Sequence, residues 1–255
     1  MAKNVLFILC HQDDEMGLFN RIKSCIKQKK NVLIIYMTSG YDVSIPKKKI
    51  TRRDIESISV LKKLGVEERN ILFIGRKNNT KIYELYLHLN KSYKDLVSLV
   101  RKLKGNTIIF THTWEGGNED HDACHSMVLK LYSQIKKIKK CYQFSLYHGK
   151  NTFFNFFKVQ DLFKENGKII KDKISIFDKV IFMKYLFHYK SQYKVWIGLY
   201  PFLIINILFN KYGFLQIIKK NMKLKKPHKD KLLYERMRDN KYSNIINQIN
   251  LFLLK

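Results

Sequence analysis

The chain has 255 residues, and 49 Lys and Arg against 21 Asp and Glu give it a formal charge of +28. An apolar fraction of 45 %, with 3 Pro and 11 Gly, excludes a disordered or collagen-like chain and allows one large domain with a proper core. The four cysteines, Cys10, Cys25, Cys124 and Cys141, form no CxxC pair, a usage that suits a reducing compartment.

The opening apolar run, Val5–Cys10, is too short for a signal peptide, and no stretch reaches the ~18–20 apolar residues of a spanning helix. The expected location is cytoplasmic. Residues 151–255 carry +14 and residues 1–150 the other +14, so the charge is spread and does not sit in a tail. Heavy use of Lys, Ile, Asn, Tyr and Phe is the bias of an AT-rich coding sequence. The basic surface still favours anionic partners. No RNA- or DNA-binding motif is present, so nucleic acid is not an expected partner. The oligomeric state is left open.

In chain order, Val5–Cys10, Val32–Thr38, Ile71–Gly75, Thr107–Thr111 and Tyr142–Tyr147 read as short strands without polar alternation, as in parallel sheets covered on both faces. Leu18–Lys29, Ile50–Leu64, Lys81–Lys104 and His121–Lys139 have helical spacing, and Gly65 supplies a stop after the second. The alternation predicts an α/β fold, a three-layer Rossmann-like sandwich with a mostly parallel sheet. Residues 1–150 form the expected catalytic unit. Residues 151–255 read as a mainly helical C-terminal extension that completes the domain and the substrate pocket. Within it, Trp196–Phe209 is a nearly unbroken apolar run, and Lys219–Lys231 holds seven lysines in thirteen residues. Two readings stand for this pair. One is a buried helix beside a compositional lysine run; the other is a peripheral element on an anionic membrane surface at the inner face.

Two polar clusters follow predicted strands, where an open parallel sheet places its active site. The first is His11-Gln12-Asp13-Asp14-Glu15. The second runs from Thr111-His112-Thr113-Trp114-Glu115 through Gly116-Gly117-Asn118-Glu119-Asp120-His121 to His125. Imidazoles and carboxylates converging at one sheet edge form the ligand set of a catalytic zinc, which takes three protein ligands and keeps one position open.

These motifs resemble the PIG-L/LmbE-like family of zinc-dependent N-deacetylases. His11-Gln12-Asp13-Asp14-Glu15 is similar to the family's His-Pro-Asp-Asp-Glu, and Gly116-Gly117-Asn118-Glu119-Asp120-His121 to its Gly-Gly-His-Pro-Asp-His. Thr38-Ser39-Gly40, Arg53-Asp54-Ile55-Glu56 and Leu64-Gly65 lie between them in the family's order, and Lys226–Glu235 is similar to a late motif of some members. The resemblance implies His11, Asp14 and His121 as ligands of Zn2+, with Fe2+ an alternative occupant, and Asp13 as general base. It implies removal of an acetyl group from an N-acetylated amino sugar or glycoconjugate, with another amide of a glycoconjugate as runner-up.

Two departures bear on this. Gln12 replaces the family's Pro and loosens the turn. Asn118 replaces an imidazole that assists catalysis; it can donate a hydrogen bond to an oxyanion but cannot carry a proton. That opens a rival reading, a catalytically weakened homologue that binds a sugar or lipid-linked glycan. Arg53, Trp114 and His112 are candidate substrate contacts, with a solvated helix residue, a packing residue and an exposed strand end as their plain alternatives. His125, one helical turn after His121, reads as a supporting or packing residue.

Overall fold

A computed structural model describes residues 3–44, 46, 50–238 and 240–255, with backbone only for residues 194–196. Five parallel strands form one side of a seven-stranded sheet: β1 (Asn4–Leu9), β2 (Asn31–Tyr36), β3 (Ile71–Phe73), β4 (Thr107–His112) and β5 (Ile138–Phe144), in the order β3-β2-β1-β4-β5 from one edge. Alternate side chains of β1 feed two cores. Leu6, Ile8 and Cys10 face one, and Val5, Phe7 and Leu9 face the other, which is why the strand reads as one apolar run.

The first core packs α4 (Leu89–Lys102), α5 (Glu119–Gln134) and α9 (Tyr242–Leu254) on one face of the sheet. The second packs α1 (Phe19–Lys27), α2 (Arg52–Lys63), α6 (Ile176–Leu186) and α8 (Tyr200–Phe209) on the other. The architecture is the expected three-layer α/β sandwich. Because the chain leaves β1 for one face and β4 for the other, a crevice opens between their carboxyl ends, the switch point at which such sheets bind ligands.

Boundaries follow local chemistry. Thr51 and Asp54 form a reciprocal capping box that starts α2, and Gly65, at φ +94°, ends its last turn. The predicted helix over 81–104 begins only at Leu89, after a 3-10 turn over Leu85–Leu87, while residues 74–78 form the short helix α3 (Ile74–Asn78). β5 begins at Ile138, four residues earlier than expected, because its exposed Lys139 and Lys140 dilute the apolar signal.

The C-terminal region is helical, as expected, but it also supplies strands that periodicity did not reveal. A small hairpin pairs β6 (Tyr147–His148) with β7 (Lys158–Val159), and β8 (Ile169–Lys173) and β9 (Tyr212–Ile217) extend the main sheet antiparallel beyond β5. β6 and β7 are only two residues long, Lys171 and Lys173 interrupt β8, and Gly213 and Gln216 break the apolar run of β9, so none carries a clear strand signature.

The apolar run expected over 196–209 is split into α7 (Tyr193–Gly198) and α8, and the Trp196 side chain lies outside the described residues. No helix among the described residues is long and apolar enough to cross a membrane. The lysine run does not share a surface with α8. Ile218, Met222, Leu224 and Leu232 hold it against the core of α5, and the Lys220 ammonium lies over the Tyr132 ring, whereas Leu203 and Ile207 of α8 belong to the opposite core.

Candidate metal centre and active site

β1 ends by turning His11, Asp13 and Asp14 into the crevice. The turn is held by its own acid: Asp14 Oδ2 accepts the backbone N–H groups of Cys10 (2.9 Å) and His11 (2.6 Å). Gln12, fully buried, ties the turn to α2 by donating to Asp54 Oδ1 (3.0 Å). The family's proline is thus replaced by a tether, not by the looser turn expected. Close approach here requires Gly40, at φ +80°, whose Cβ would meet the Gln12 side chain at 2.2 Å.

From β4 the chain reaches α5 through Gly116 and Gly117. A Cβ on Gly117 would collide with the Tyr147 carbonyl oxygen at 1.8 Å, so this glycine permits the contact that sets α5 beside β6. Asn118 caps α5: its Oδ1 accepts from the Asp120 N–H (2.9 Å), which leaves its Nδ2 to donate to the Tyr147 hydroxyl (3.2 Å). Buried Glu115 fastens the two loops, accepting from Ser145 Oγ (2.5 Å) and from the Leu146 N–H (3.2 Å).

His11, Asp14 and His121 come together at the floor. Asp14 Oδ1 lies 3.4 Å from His121 Nε2, and Asp14 Oδ2 lies 3.5 Å from His11 Nδ1; the two rings are 5.3 Å apart at their centroids. The second nitrogen of His11, Nε2, bonds Asp120 Oδ2 (3.0 Å), whose carboxylate is itself fixed by the N–H groups of Tyr83 (2.6 Å) and Leu85 (3.0 Å). A carboxylate behind an imidazole is the arrangement that orients a metal-binding histidine.

The fit to a cation rests on His121. Both of its ring nitrogens are buried and have no hydrogen-bond partner, a costly state for an imidazole that a cation relieves. Burial opposes ionisation of Asp14, but the imidazoles around it hold its carboxyl well below the usual range. For His11, burial lowers the imidazole, yet Asp14 and Asp120 outweigh it and raise it to about 10. The donor set of two imidazoles and an ionised carboxylate suits a zinc-type divalent ion. Ligand-capable atoms of Cys10, Asp14, His112 and His121 also lie within 4.8 Å of one another. Cys10 is the weakest of these, because burial keeps its thiol protonated.

Asp13 stands at the lip. Its Oδ1 accepts from Arg53 Nη2 (3.2 Å), and Arg53 Nη1 donates to the Gly40 carbonyl (2.6 Å). Burial pushes the Asp13 carboxyl up, against the pull of Arg53. With His11, Asp14 and Asn118 these residues line a cleft of about 110 Å3, walled by Tyr83, Tyr147, Gln192 and Leu199. That leaves room for several waters or a small polar group beside the metal-competent floor. Glu56 of α2 holds the Gln192 wall by accepting from the Ser191 N–H (2.9 Å).

Two expected substrate contacts do not reach the cleft. His112 is not an exposed strand end: it is fully buried beneath Asp14, 3.0 Å from Oδ2, and stacks on His121 at 3.8 Å. Trp114 is 2 % exposed in the core, where its Nε1–H donates to the Lys225 carbonyl (2.6 Å). His125 is buried against the same strand end, bonding the His112 carbonyl (3.0 Å). Conversely, Tyr83, Tyr147 and Gln192 line the cleft without any motif to mark them: a turn, a two-residue strand and a 3-10 turn carry them, and only the fold brings them to the crevice.

Fold and site together define a Rossmann-like α/β protein with a metal-competent crevice. Residues 6–132 match the family model described as PIG-L: GlcNAc-PI de-N-acetylase, and the chain belongs to this family. Comparison with curated proteins finds no match. Among solved structures, the N,N'-diacetylchitobiose deacetylase of Pyrococcus horikoshii is 19% identical, with a TM-score of 0.60 over 86% of this chain and 85% of that one. A deacetylase of the teicoplanin biosynthetic pathway, in a zinc-inhibited form, is 14% identical, with a TM-score of 0.60 over 84% and 97%. A conserved protein of Thermus thermophilus is 15% identical, with a TM-score of 0.57 over 90% and 100%. These likenesses describe the shared fold.

Proposed function

We propose that the protein is a metal-dependent N-deacetylase that removes an acetyl group from an N-acetylated amino sugar or glycoconjugate. The observation that carries this reading is the convergence of His11, Asp14 and His121, with orphaned imidazole nitrogens, beneath an Asp13 carboxylate at the mouth of one small cleft. Family membership and solved relatives described as deacetylases support the reaction class. The buried free cysteines fit a cytoplasmic setting.

His11, Asp14 and His121 would hold the ion, Zn2+ in this reading with Fe2+ able to use the same donors. When bound, it supplies the Lewis acidity that makes water nucleophilic near neutral pH. The chain's own residues do the rest. Arg53 fixes the Asp13 carboxylate, which takes the proton of the attacking water and returns it to the departing amine. Asn118 and Tyr147 sit beside the position of the acetyl carbonyl, where their hydrogen-bond donors favour the charge that develops on its oxygen. Sharing one acid-base group in this way answers the missing imidazole at Asn118. In this reading the sugar extends along the cleft wall at Tyr83 and Leu199, to which residues 151–255 contribute Gln192 and Leu199.

Metal analysis of the purified protein, with acetate release measured over a panel of N-acetylated glycosides, tests the proposal. Stoichiometric metal and acetate release that Asp13→Asn abolishes are expected. Asn118 favours one other reading, a sugar-binding homologue without turnover. Metal and glycan binding with no amide cleaved across the panel would establish that alternative.

A further inference from the structure

Of the 21 large apolar side chains exposed among the described residues, 14 fall between Phe153 and Tyr212. The reason is clearest in α8, which is apolar all round but for Asn206: Leu203 and Ile207 turn into the core, while Phe202, Ile205 and Phe209 share the outer face at 48%, 51% and 79% exposure. At the end of this helix, Lys179 of α6 donates to the Leu208 carbonyl (2.9 Å) and brings the start of α6, with exposed Ile176 and Phe177, alongside. At its beginning, Phe202 meets Phe157 (5.8 Å), whose ring also contacts Tyr147 of the cleft (5.8 Å). Phe153 packs on both Phe154 and Phe156 in the adjoining loop. One apolar band therefore runs from the cleft wall to the far end of α8.

Its charges are one-sided. Asp172 is paired with Arg21 (3.0 Å), Asp178 with Lys23 and Glu165 with Lys150 (2.8 Å), which leaves Asp161, beside the neutral His148 ring (3.4 Å), as the one uncompensated carboxylate of residues 153–212. Lys158, Lys173, Lys184 and Lys211 are exposed around the band. A second copy seated on this face would set lysine against lysine in a chain that already carries +28. An anionic lipid surface accepts both features, apolar side chains into the acyl boundary and ammonium groups among the headgroups.

We propose that this band docks the protein onto an anionic bilayer, with the cleft at the edge of the contact. The docking uses the α6–α8 face and not the Lys219–Lys231 run, and it is independent of the reaction catalysed.

Co-sedimentation with phosphatidylglycerol-containing and pure phosphatidylcholine vesicles at about 50 mM salt tests it. Wild type is expected to sediment with the anionic vesicles and to be released by salt. The triple variant Phe154→Ser, Phe202→Ser, Phe209→Ser, checked for an unchanged melting curve, should partition at least about a hundred-fold less. Lys173→Glu with Lys211→Glu should weaken binding without touching an apolar contact. Acetate release from a soluble sugar should be the same in wild type and variants, which separates this test from that of the reaction. Absence of binding at low salt, or equal binding by the triple variant, overturns the proposal. Equal binding to neutral vesicles overturns the anionic assignment. A wild-type dimer that the triple variant converts to monomer gives the face to a second copy instead.

Discussion

The Asn118 side chain caps α5 with its oxygen and donates from its nitrogen to the Tyr147 hydroxyl, 3.2 Å away. One amide thus holds a helix start and aims a phenol at the cleft. The two duties can be separated. Asn118→Asp keeps a capping oxygen but loses the NH2 donor, so its melting temperature should stay near wild type while kcat falls. Tyr147→Phe should lower kcat by roughly a hundred-fold with little change in KM, the usual cost of losing one oxyanion donor. Melting curves beside acetate-release kinetics check both. A Tyr147→Phe enzyme with full kcat sinks the assignment.

Asp120 is expected to act through His11. It accepts from the imidazole at 3.0 Å and is clamped by two backbone N–H groups, so it fixes which nitrogen His11 turns to the cation. Asp120→Asn should weaken metal affinity by about 10–100-fold while the fold persists. His121→Ala should abolish binding. Calorimetric titration of the chelator-treated protein with Zn2+ reads both effects. Wild type should also gain melting temperature with added metal and lose it with chelator, because only the folded state assembles the donors.

Trp114 offers a clean contrast between packing and recognition. Its indole is buried and bonded to the Lys225 carbonyl, which pins the segment before Leu232 to the Gly116 loop, where the Leu233 N–H reaches the Gly116 carbonyl at 3.0 Å. Trp114→Phe should cost about 1–3 kcal/mol in urea unfolding, through the stranded carbonyl. KM should not change. A raised KM at unchanged stability would restore Trp114 to the substrate.

Much of this architecture is legible in the sequence because its strongest signals are local. Apolar runs mark β1 and β2, Thr51 and Gly65 bracket α2, and the polar clusters directly follow β1 and β4. The cleft walls are legible only in three dimensions. Tyr147 and Gln192 become site residues through Glu115 and Glu56, whose carboxylates reach 32 and 135 residues along the chain, and no spacing rule encodes such contacts. Trp114 and His112 mislead for the converse reason. Adjacency to a motif suggests exposure to substrate, whereas strand alternation and the late segment around Lys225 bury them. The strands β8 and β9 escape notice for separate reasons: Lys171 and Lys173 interrupt the short apolar pattern of β8 at the sheet edge, and Gly213 and Gln216 break that of β9.

Acid should unfold the protein partly through two imidazoles that are not among the proposed metal ligands. His148 Nδ1 accepts from the Lys150 N–H (3.1 Å) and its Nε2 bonds the Asp161 carbonyl (3.1 Å), which requires the neutral ring. Burial lowers it to about 4, against the pull of Asp161 and helped by Lys158 and Lys150. His228, packed near the same Phe163 ring, is lowered by burial to about 4, with Asp230 opposing and His148, Arg236 and Lys226 assisting. An unfolded histidine titrates near ~6.5, so between pH ~6.5 and about 4 the unfolded chain binds more protons than the folded one, and stability falls as pH falls. Above that window both states are neutral and the contribution is flat. The loss should be on the order of 2 kcal/mol per imidazole. Urea midpoints measured from pH 7.5 to 4.5 should decline in wild type and decline less in His148→Gln, which keeps an amide donor and acceptor but cannot be protonated. Parallel declines in the two proteins would remove His148 from the account.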